Sequence, residues 1–373
     1  MKILQIGKFY PIMGGVEKVM FDLTSGLAAL GVECDMLCAN NDTTVKKLVI
    51  KELTPNNRII ICPTMKKIFA TMICPAMIRE LKRRCNYYDI IHIHHPDPMA
   101  ALALYMSNYK GKVVLHWHSD ILKQANLLKL YLPLQKWLIN RASVIVGTTP
   151  VYIKESPYLQ SVQDKCTYLP IGIDEMEWDA NAVEQIRSQY PGKKIIFSLG
   201  RLVGYKGYEY LIDAAKNLSD DYIILIGGSG PLKDTLQAQI DTNNLQSKVK
   251  LLGRVSDENL PNYYKAIDLY CLSSTMKTEA FAIVQLEAMA ARKPVVSARI
   301  PGSGVAWVNV DQESGITVET HSAKALSDAF RKILEDKALY DRLAQGARNR
   351  YETVFRKEKM IEKCLDIYRS LNG

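Results

Sequence analysis

The chain has 373 residues, 48% of them hydrophobic, and a formal net charge of +9. This length exceeds what one hydrophobic core usually organises, so we expect two domains of roughly 170 to 190 residues each. The apolar runs are too short to span a membrane, and the run at residues 1–6 is too short for the core of a signal peptide, so we expect a cytosolic protein.

The excess positive charge is confined to the first half of the chain. Residues 1–172 contain 21 Lys and Arg against 12 Asp and Glu, whereas the remainder contains 27 of each kind. One basic segment, residues 66–84, alternates cations with Ile, Met and Phe, which suits the headgroup region of an anionic bilayer. An ordinary solvated helix face beside a core stripe explains it equally well. Nucleic acid is a poor partner, because no recognition motif accompanies the charge.

The eight cysteines are scattered without paired C-x-x-C spacing. Several of them, including Cys62, Cys74 and Cys271, lie in apolar runs. We therefore expect reduced and mostly buried thiols.

The first half alternates strands with helices. Residues 2–6 form an apolar strand, a loop with two glycines follows, and residues 16–30 have helical composition. Residues 31–38 then alternate, with Cys34 and Met36 on one face of a strand and Glu33 and Asp35 on the other. Further strands are predicted at 59–62, 90–94, 113–118 and 144–146, with room for crossover helices between them.

The second half repeats this rhythm. The chain turns irregular around residues 168–174, and Pro191 and Gly192 introduce a new strand. We therefore place a boundary near residue 172, with domains at 1–172 and 173–355. An amphipathic run at residues 356–371 ends the chain. Strands of the second, mostly parallel sheet are predicted at 195–200, 222–227, 249–253, 269–273, 294–298 and 315–318.

Four charged residues follow predicted strands in the second half. Glu279 lies in the loop at the carboxyl end of the strand at 269–272, where open α/β sheets usually bind ligands, and Glu287 lies on the following helix. The two carboxylates could hold sugar hydroxyls. Arg201 and Lys206 come directly after another strand, and fixed cations there can stabilise a diphosphate leaving group without a metal ion.

Five of the six histidines lie in two tracts, residues 92–95 and 116–118, both at strand ends. Alternation places His92 with His94, and His116 with His118, on common faces, an arrangement that can mimic a metal site. We nevertheless expect no metal. The chain also contains no Asp-x-Asp motif, which argues against a metal-bound diphosphate.

These segments together resemble the retaining nucleotide-sugar glycosyltransferases of family 4, which includes bacterial polysaccharide and glycolipid enzymes. The resemblance spans the whole chain, and the glutamate pair followed by Pro294-Val295-Val296 and the element from Gly200 to Gly207 are its most specific parts. It implies an α/β fold of two Rossmann-like domains facing across a cleft (GT-B). The second domain would hold the donor, the first the acceptor, and a C-terminal helix at about 356–373 would cross back to the first domain.

The resemblance also implies roles for single residues. Arg201 and Lys206 would stabilise the diphosphate, Glu287 would hold the ribose hydroxyls, and Glu279 would contact the sugar. His118 would contact the transferred sugar from the first domain. The other residues implied in donor binding are Gly14, Gly15, Val255 (near the nucleobase), Phe281, Ala282 and Ile283.

The implied activity is metal-independent transfer of a hexose, with retention, from a UDP- or GDP-sugar to a hydroxyl of a glycan or lipid-linked saccharide. No cofactor is expected, and the basic first half suggests an anionic, lipid-linked acceptor at the inner face of the membrane. Ala282 and Arg292 stand where the family often has glycine, which leaves the donor preference open. A sugar-nucleotide epimerase, a glycoside hydrolase using Glu279 and Glu287, and a sugar-nucleotide sensor remain alternatives.

Overall fold

A computed structural model describes residues 1–68, 71–121 and 125–372. The chain divides into two compact units. Unit 1 comprises Met1–Gly172 and Lys357–Gly373, and unit 2 comprises Ile173–Arg356.

Unit 1 is organised by a twisted α/β sheet and a separate hairpin. Its strands are β1 (Lys2–Tyr10), β2 (Glu33–Asn40), β3 (Val49–Thr54), β4 (Asn57–Cys62), β5 (Lys66–Ile68), β6 (Thr71–Ile73), β7 (Ile90–His95), β8 (Lys112–Trp117), β9 (Val144–Gly147) and β10 (Cys166–Tyr168). The large sheet has the order β10-β9-β8-β7-β1-β2-β4-β3, in which β3 pairs antiparallel with β4 and the other neighbours described are parallel. Strands β5 and β6 form the hairpin.

Two helices of unit 1 begin at a residue whose side chain caps them. Asp97 accepts hydrogen bonds from the backbone N–H groups of Met99 and Ala100, at 3.0 Å each, and Pro98 occupies the first helical position. Thr149 caps a later helix in the same way. The helices in the first part of unit 1 are α1 (Gly15–Ala29), α2 (Pro75–Arg84), α3 (Pro98–Ser107), α4 (Ala125–Arg141) and α5 (Pro150–Glu155), and the capped ones are α3 and α5.

Strand β2 shows that a charged strand face need not meet solvent. Seven of its eight residues are buried, because β1 and β4 flank it in the middle of the sheet. Asp35 is fully buried, and its carboxylate accepts hydrogen bonds from Arg58, at 2.8 Å, and from the Tyr88 hydroxyl, at 2.7 Å. The predicted alternation along β2 is therefore correct. The carboxylate of Asp35 on its second face, however, does not meet solvent but is neutralised by Arg58 inside the protein.

Unit 2 contains a fully parallel sheet among its described residues. The strands are β11 (Lys194–Leu199), β12 (Tyr222–Gly227), β13 (Val249–Gly253), β14 (Leu269–Leu272), β15 (Val295–Ala298) and β16 (Gly315–Val318). The helices are α6 (Ala180–Ser188), α7 (Tyr208–Ala214), α8 (Lys233–Thr242), α9 (Leu260–Ala266), α10 (Val284–Ala290), α11 (Val305–Val308), α12 (Ala323–Leu334) and α13 (Lys337–Arg350).

The strand order of unit 2 is β13-β12-β11-β14-β15-β16. This is the doubly wound Rossmann order, in which the direction of strand addition reverses between β11 and β14. Unit 1 has the same kind of reversal between β1 and β7. Ligands of such sheets bind at the carboxyl ends of the strands beside the reversal.

The last helix, α14 (Lys357–Asn372), belongs to unit 1 although the chain enters it from unit 2. It packs on α1, where a Cβ on Gly26 would lie 2.0 Å from a methyl carbon of Ile361. Tyr368 of α14 is fully buried and hydrogen-bonds to Gln5 of β1. The predicted return of the C-terminal helix to the first domain is confirmed.

All eight cysteines are free thiols, and seven of them are buried. The expectation that most cysteines are buried is therefore confirmed.

Candidate functional site

The central feature of unit 2 is a buried ion pair at the reversal of its sheet. Lys206 follows β11, and Glu279 lies in the loop after β14. The Lys206 Nζ is 2.5 Å from Glu279 Oε2, and the residues are only 8% and 9% exposed. Ser274 donates a second hydrogen bond, at 2.9 Å, to the same carboxylate oxygen. Two residues that the sequence suggested separately are thus direct partners.

Gly207 allows this pair to form. Its φ of +63° is left-handed, and a Cβ there would lie 2.3 Å from the carbonyl oxygen of Ser273. The Ser273 hydroxyl donates to the carbonyl of Lys206 at 2.8 Å, and the N–H of Thr275 donates to the carbonyl of Tyr205 at 2.8 Å. The loop after β11 is therefore clamped against the loop after β14.

Arg201 lies on the same edge of the sheet but is exposed. Its guanidinium has no hydrogen-bond or ion-pair partner in the described ranges of the chain. Burial is the main cause of the raised pKa of Tyr205. Lys206 and Arg201 lower this pKa and Glu279 raises it, so all three charges act on the Tyr205 phenol. Lys206 is thus neutralised in the free protein, and Arg201 is available to an anion.

Glu287, in the first turn of α10, is half-buried and accepts a hydrogen bond from the Tyr264 hydroxyl at 2.6 Å. Burial raises the pKa of Glu287, and the bond from Tyr264 opposes that rise. The buried Tyr270 phenol has its pKa raised chiefly by burial, with contributions from both Glu287 and Glu279. The charges of both glutamates therefore act on the Tyr270 phenol. Tyr264, through its hydrogen bond, orients Glu287.

The segment between these glutamates adopts a strained conformation. Ala282 has a left-handed φ of +63°, the geometry that favours the glycine it replaces. The Phe281 side chain is buried against Phe355, so only its backbone can face a ligand. Ile283 and Val255 are half-buried.

Gly14 and Gly15 are exposed at the start of α1 in unit 1. A Cβ on Gly14 would lie 2.6 Å from the Glu17 carboxylate. Burial raises the pKa of Glu17, whereas Lys8 and the backbone N–H groups of Glu17 and Gly14 lower it. The family resemblance implies that Gly14 binds the donor, and in the structure the space that its missing side chain leaves is bordered by the Glu17 carboxylate.

His118 follows β8 in unit 1 and is 5% exposed. Its Nε2 is 2.9 Å from Nδ1 of His94, and its Nδ1 has no partner in the described part of unit 1. Burial lowers the pKa of His118 well below its usual value, so the ring is neutral at physiological pH.

Three of the histidines offer a geometry that a metal ion could use. His92, His94 and His116 each present a ring nitrogen, and these atoms lie within 4.8 Å of one another. The same rings already form hydrogen bonds: His92 to His116 at 3.3 Å, and His94 to His118 and to Gln5. A metal ion would have to break those bonds.

The basic segment at residues 66–84 is two different structures, not one helical face. Residues 66–68 and 71–73 form the hairpin, while Phe69 and Ala70 lie outside the described residues. Helix α2 follows, with Met77 and Leu81 buried in the core and Arg83 and Arg84 paired with Glu80. In the part of the chain that the structure describes, no helix is long and apolar enough to cross a membrane.

Two Rossmann-like units, with cations and carboxylates at the strand reversal of unit 2, define the class of glycosyltransferases with a GT-B fold. Two family models match this chain: Glycosyltransferase Family 4 over residues 13–176, and Glycosyl transferases group 1 over residues 180–350. The chain belongs to glycosyltransferase family 4, and it is a sugar-transferring enzyme of polysaccharide or glycolipid synthesis.

Curated relatives agree with this assignment, and a solved structure has the same fold. The O-antigen chain mannosyltransferase C of Escherichia coli is 28% identical over 375 residues, covering 100% of this chain and 99% of the relative. The D-rhamnosyltransferase WbpZ of Pseudomonas aeruginosa is 26% identical, covering 95% of this chain and 92% of the relative. The crystal structure of Anabaena Alr3699/HepE in complex with UDP superposes with a TM-score of 0.79 at 20% identity, covering 99% of this chain and 100% of the other.

Proposed function

We propose that this enzyme transfers a manno-configured hexose, with retention and without a metal ion, from a nucleotide sugar to a hydroxyl of a cell-surface glycan or lipid-linked saccharide. The names of the two relatives support the sugar, because D-rhamnose is the 6-deoxy form of mannose. The UDP and UDP-glucose complexes of Alr3699/HepE support a nucleotide-sugar donor.

The observation that carries this proposal is the Lys206–Glu279 ion pair beside the unpaired Arg201. In the free protein Glu279 neutralises Lys206. When a donor binds, its diphosphate replaces Glu279 as the partner of Lys206, and the released carboxylate accepts a hydrogen bond from a sugar hydroxyl. The two cations then stabilise the negative charge that grows on the phosphate as the glycosidic bond breaks.

The proposed chemistry needs no protein base. The bond from the anomeric carbon to the phosphate oxygen breaks, and the acceptor oxygen bonds to the anomeric carbon on the same face. The acceptor's proton passes to the leaving phosphate oxygen, so the configuration is retained. Glu287, oriented by Tyr264, holds the ribose hydroxyls, and the backbone at Val255 and Ala282 contacts the rest of the donor.

Arg201→Ala tests the role of the cations. Arg201 is exposed, so the variant should fold with its stability nearly unchanged. Turnover should fall about 100- to 1,000-fold, the typical effect of removing one group that stabilises transition-state charge. Arg342→Ala, at an exposed arginine of α13, is the control and should keep full activity. Unchanged turnover in Arg201→Ala would remove the cations from the mechanism.

Donor choice and metal independence are tested with the parent enzyme. A panel of UDP- and GDP-sugars should raise the thermal unfolding midpoint most for a manno-configured donor, because a ligand at 100 times its Kd adds about 2.7 kcal/mol. Transfer should be unaffected by EDTA. Loss of transfer with EDTA, and recovery with a divalent ion, would contradict the metal-independent mechanism.

The hairpin extends the proposal to an anionic membrane at the cytoplasmic face. Lys66, Lys67 and Ile68 are exposed, and neighbouring Met65 is 67% exposed, whereas the apolar face of α2 is buried. Each lysine near an anionic surface contributes about 1 kcal/mol. The double variant Lys66→Gln/Lys67→Gln should lose more of its sedimentation with phosphatidylglycerol vesicles than the variant Lys82→Gln, whose substitution lies on α2. Equal loss in both variants would refute the assignment to the hairpin.

A further inference from the structure

Unit 1 contains a chain of buried hydrogen bonds that links six polar side chains. Gln5 of β1 is at its centre and is fully buried. Its amide nitrogen donates to the Tyr368 hydroxyl of α14 at 2.9 Å, and its amide oxygen lies 2.8 Å from Nε2 of His94. From these two points the chain continues in both directions through imidazole rings.

The first branch runs from Gln5 to His118. An amide oxygen accepts hydrogen bonds and cannot donate them, so His94 must carry its proton on Nε2. Burial and the neighbouring imidazoles lower the pKa of His94 well below its usual value, so the ring is neutral and its Nδ1 is an acceptor. His118 therefore donates from Nε2 to His94 across 2.9 Å, which leaves its own Nδ1 as an acceptor.

The second branch runs from Gln5 to His116. The Tyr368 hydroxyl accepts from Gln5 and therefore donates to Nδ1 of His92, at 2.5 Å. His92 then carries its proton on Nε2 and donates to Nδ1 of His116 at 3.3 Å. Burial lowers the pKa of His116 to about 3, so this ring is neutral as well, and its Nε2 must carry a proton.

The two branches end beside each other. The rings of His116 and His118 are stacked with centroids 3.9 Å apart. The two terminal atoms, Nε2 of His116 and Nδ1 of His118, are both buried and lack a hydrogen-bond partner among the residues that the structure describes. Buried polar atoms are rarely left unpaired, so these two indicate an unfilled site. If the oxygen and nitrogen of the Gln5 amide were exchanged, the donor and acceptor of every hydrogen bond in the chain would be exchanged too. Nδ1 of His118 would then donate and Nε2 of His116 would accept, so one terminal nitrogen would still donate and the other accept.

We propose that this relay binds one hydroxyl group, which accepts from Nε2 of His116 and donates to Nδ1 of His118. A hydroxyl is the small group that both accepts and donates, and one oxygen satisfies both nitrogens when it lies about 3 Å from each of them. The hydroxyl comes from an ordered water or from the sugar of the donor, and the second source rests on the proposed function. Tyr368 and Gln5 are positioning residues that set the polarity of both ends.

The relay is tested first in the protein without substrate. Nitrogen NMR of histidine-labelled protein at neutral pH should show His92, His94, His116 and His118 neutral and all in the Nε2–H tautomer. Tyr368→Phe removes the donor to His92, so His92 and His116 should then populate both tautomers. Tyr109→Phe removes a buried hydroxyl that bonds to the carbonyls of Tyr88 and Asp89, outside the relay, and should change none of them. Mixed tautomers in the parent, or the same spectrum in both variants, would overturn the relay.

A high-resolution crystal structure tests the bound hydroxyl. Without substrate, an ordered water should contact both terminal nitrogens. With the nucleotide sugar, either that water or a sugar hydroxyl should occupy the position, which identifies the source. No oxygen near both nitrogens in either crystal would overturn the site.

Kinetics separate the relay from the proposed transfer reaction. If the sugar supplies the hydroxyl, Tyr368→Phe should raise the KM for the donor about five-fold with little change in kcat, whereas Tyr109→Phe should leave both unchanged. The tautomer spectra need no substrate, so an absence of transferase activity would refute the proposed function while leaving the relay supported. A fall in kcat alone would refute a binding role for the relay.

Discussion

Glu279→Gln separates the ion pair that Glu279 forms with Lys206 from the contact with the sugar that we propose for the same carboxylate. The amide has the same size and still accepts hydrogen bonds from Lys206 and Ser274, but it carries no charge. Removing one partner of a buried ion pair costs about 3 to 5 kcal/mol of folding stability, and the retained acceptor places this variant near 3 kcal/mol. Urea unfolding of the protein without ligand measures this loss.

The same substitution should strengthen the binding of a nucleoside diphosphate. With Glu279 neutral, the anion no longer competes with it for Lys206. A carboxylate about 8 Å from a phosphate charge repels it by about 2 kcal/mol at an effective dielectric constant of 20. UDP or GDP should therefore bind about 10- to 30-fold more tightly by calorimetry. Turnover should fall about 10- to 100-fold, because a hydrogen bond from the sugar to a charged group is lost.

Glu319→Gln is the matched control, since Glu319 is exposed in the same unit. It should change neither stability nor diphosphate affinity measurably. If Glu279→Gln binds the diphosphate no more tightly than the parent, then Lys206 does not exchange Glu279 for phosphate, and the account of this site fails.

Three further substitutions test the surroundings of the ion pair. Burial raises the pKa of Glu287, so the native state binds a proton at this carboxylate more tightly than the unfolded chain does. The free energy of unfolding therefore falls as the pH rises above the pKa of Glu287 in the unfolded chain. Glu287→Gln should flatten this fall when unfolding is measured from about pH 4 to about pH 8, and it should weaken nucleotide binding. Arg292→Gly should stabilise the protein by about 1 kcal/mol in urea unfolding, because φ at this exposed residue is +59°. Gly207→Ala should lower both stability and turnover, since its Cβ would meet the carbonyl of Ser273; a variant with parental values would show that the loop relaxes freely.

Local patterns in the sequence were sufficient to predict the architecture. Parallel strands buried on both faces appear as short apolar runs, and β11, β12, β14 and β15 lie within a residue or two of their predicted limits. Arg201, Lys206 and Glu279 could be placed at the carboxyl ends of strands because each directly follows such a run. Ala282 and Arg292 stand where the family often has glycine, and both adopt the left-handed conformation that glycine favours.

Pairings between distant residues could not be read in the same way. Lys206 and Glu279 are 73 residues apart, and each had a separate role in the sequence. Asp35 is buried in the middle of the sheet, and Arg58 on the neighbouring strand neutralises it. Gln5 and Tyr368 are 363 residues apart, and the register of α14 decides their contact. The edge strand β3 and the hairpin were missed because their residues are largely exposed and have no core face to impose a pattern.

The two units place different chemistry at equivalent positions of one fold. In unit 2 the strand reversal carries Arg201, Lys206 and the two glutamates, so it is built for a charged ligand. In unit 1 the neutral His94 and His118 lie at the ends of β7 and β8, and the charge of nearby Lys8 is balanced by Glu17 and Asp97.

The net charge of the first half must therefore act elsewhere on its surface. The hairpin lysines are exposed and belong to a two-stranded sheet of their own, whereas His94 and His118 at the ends of β7 and β8 present neutral hydrogen-bonding groups. A basic surface beside a neutral site suits an acceptor whose reacting end is an uncharged hydroxyl and whose remote end is anionic. Salt should then weaken acceptor binding through the remote end without changing the rate of transfer from bound donor to bound acceptor.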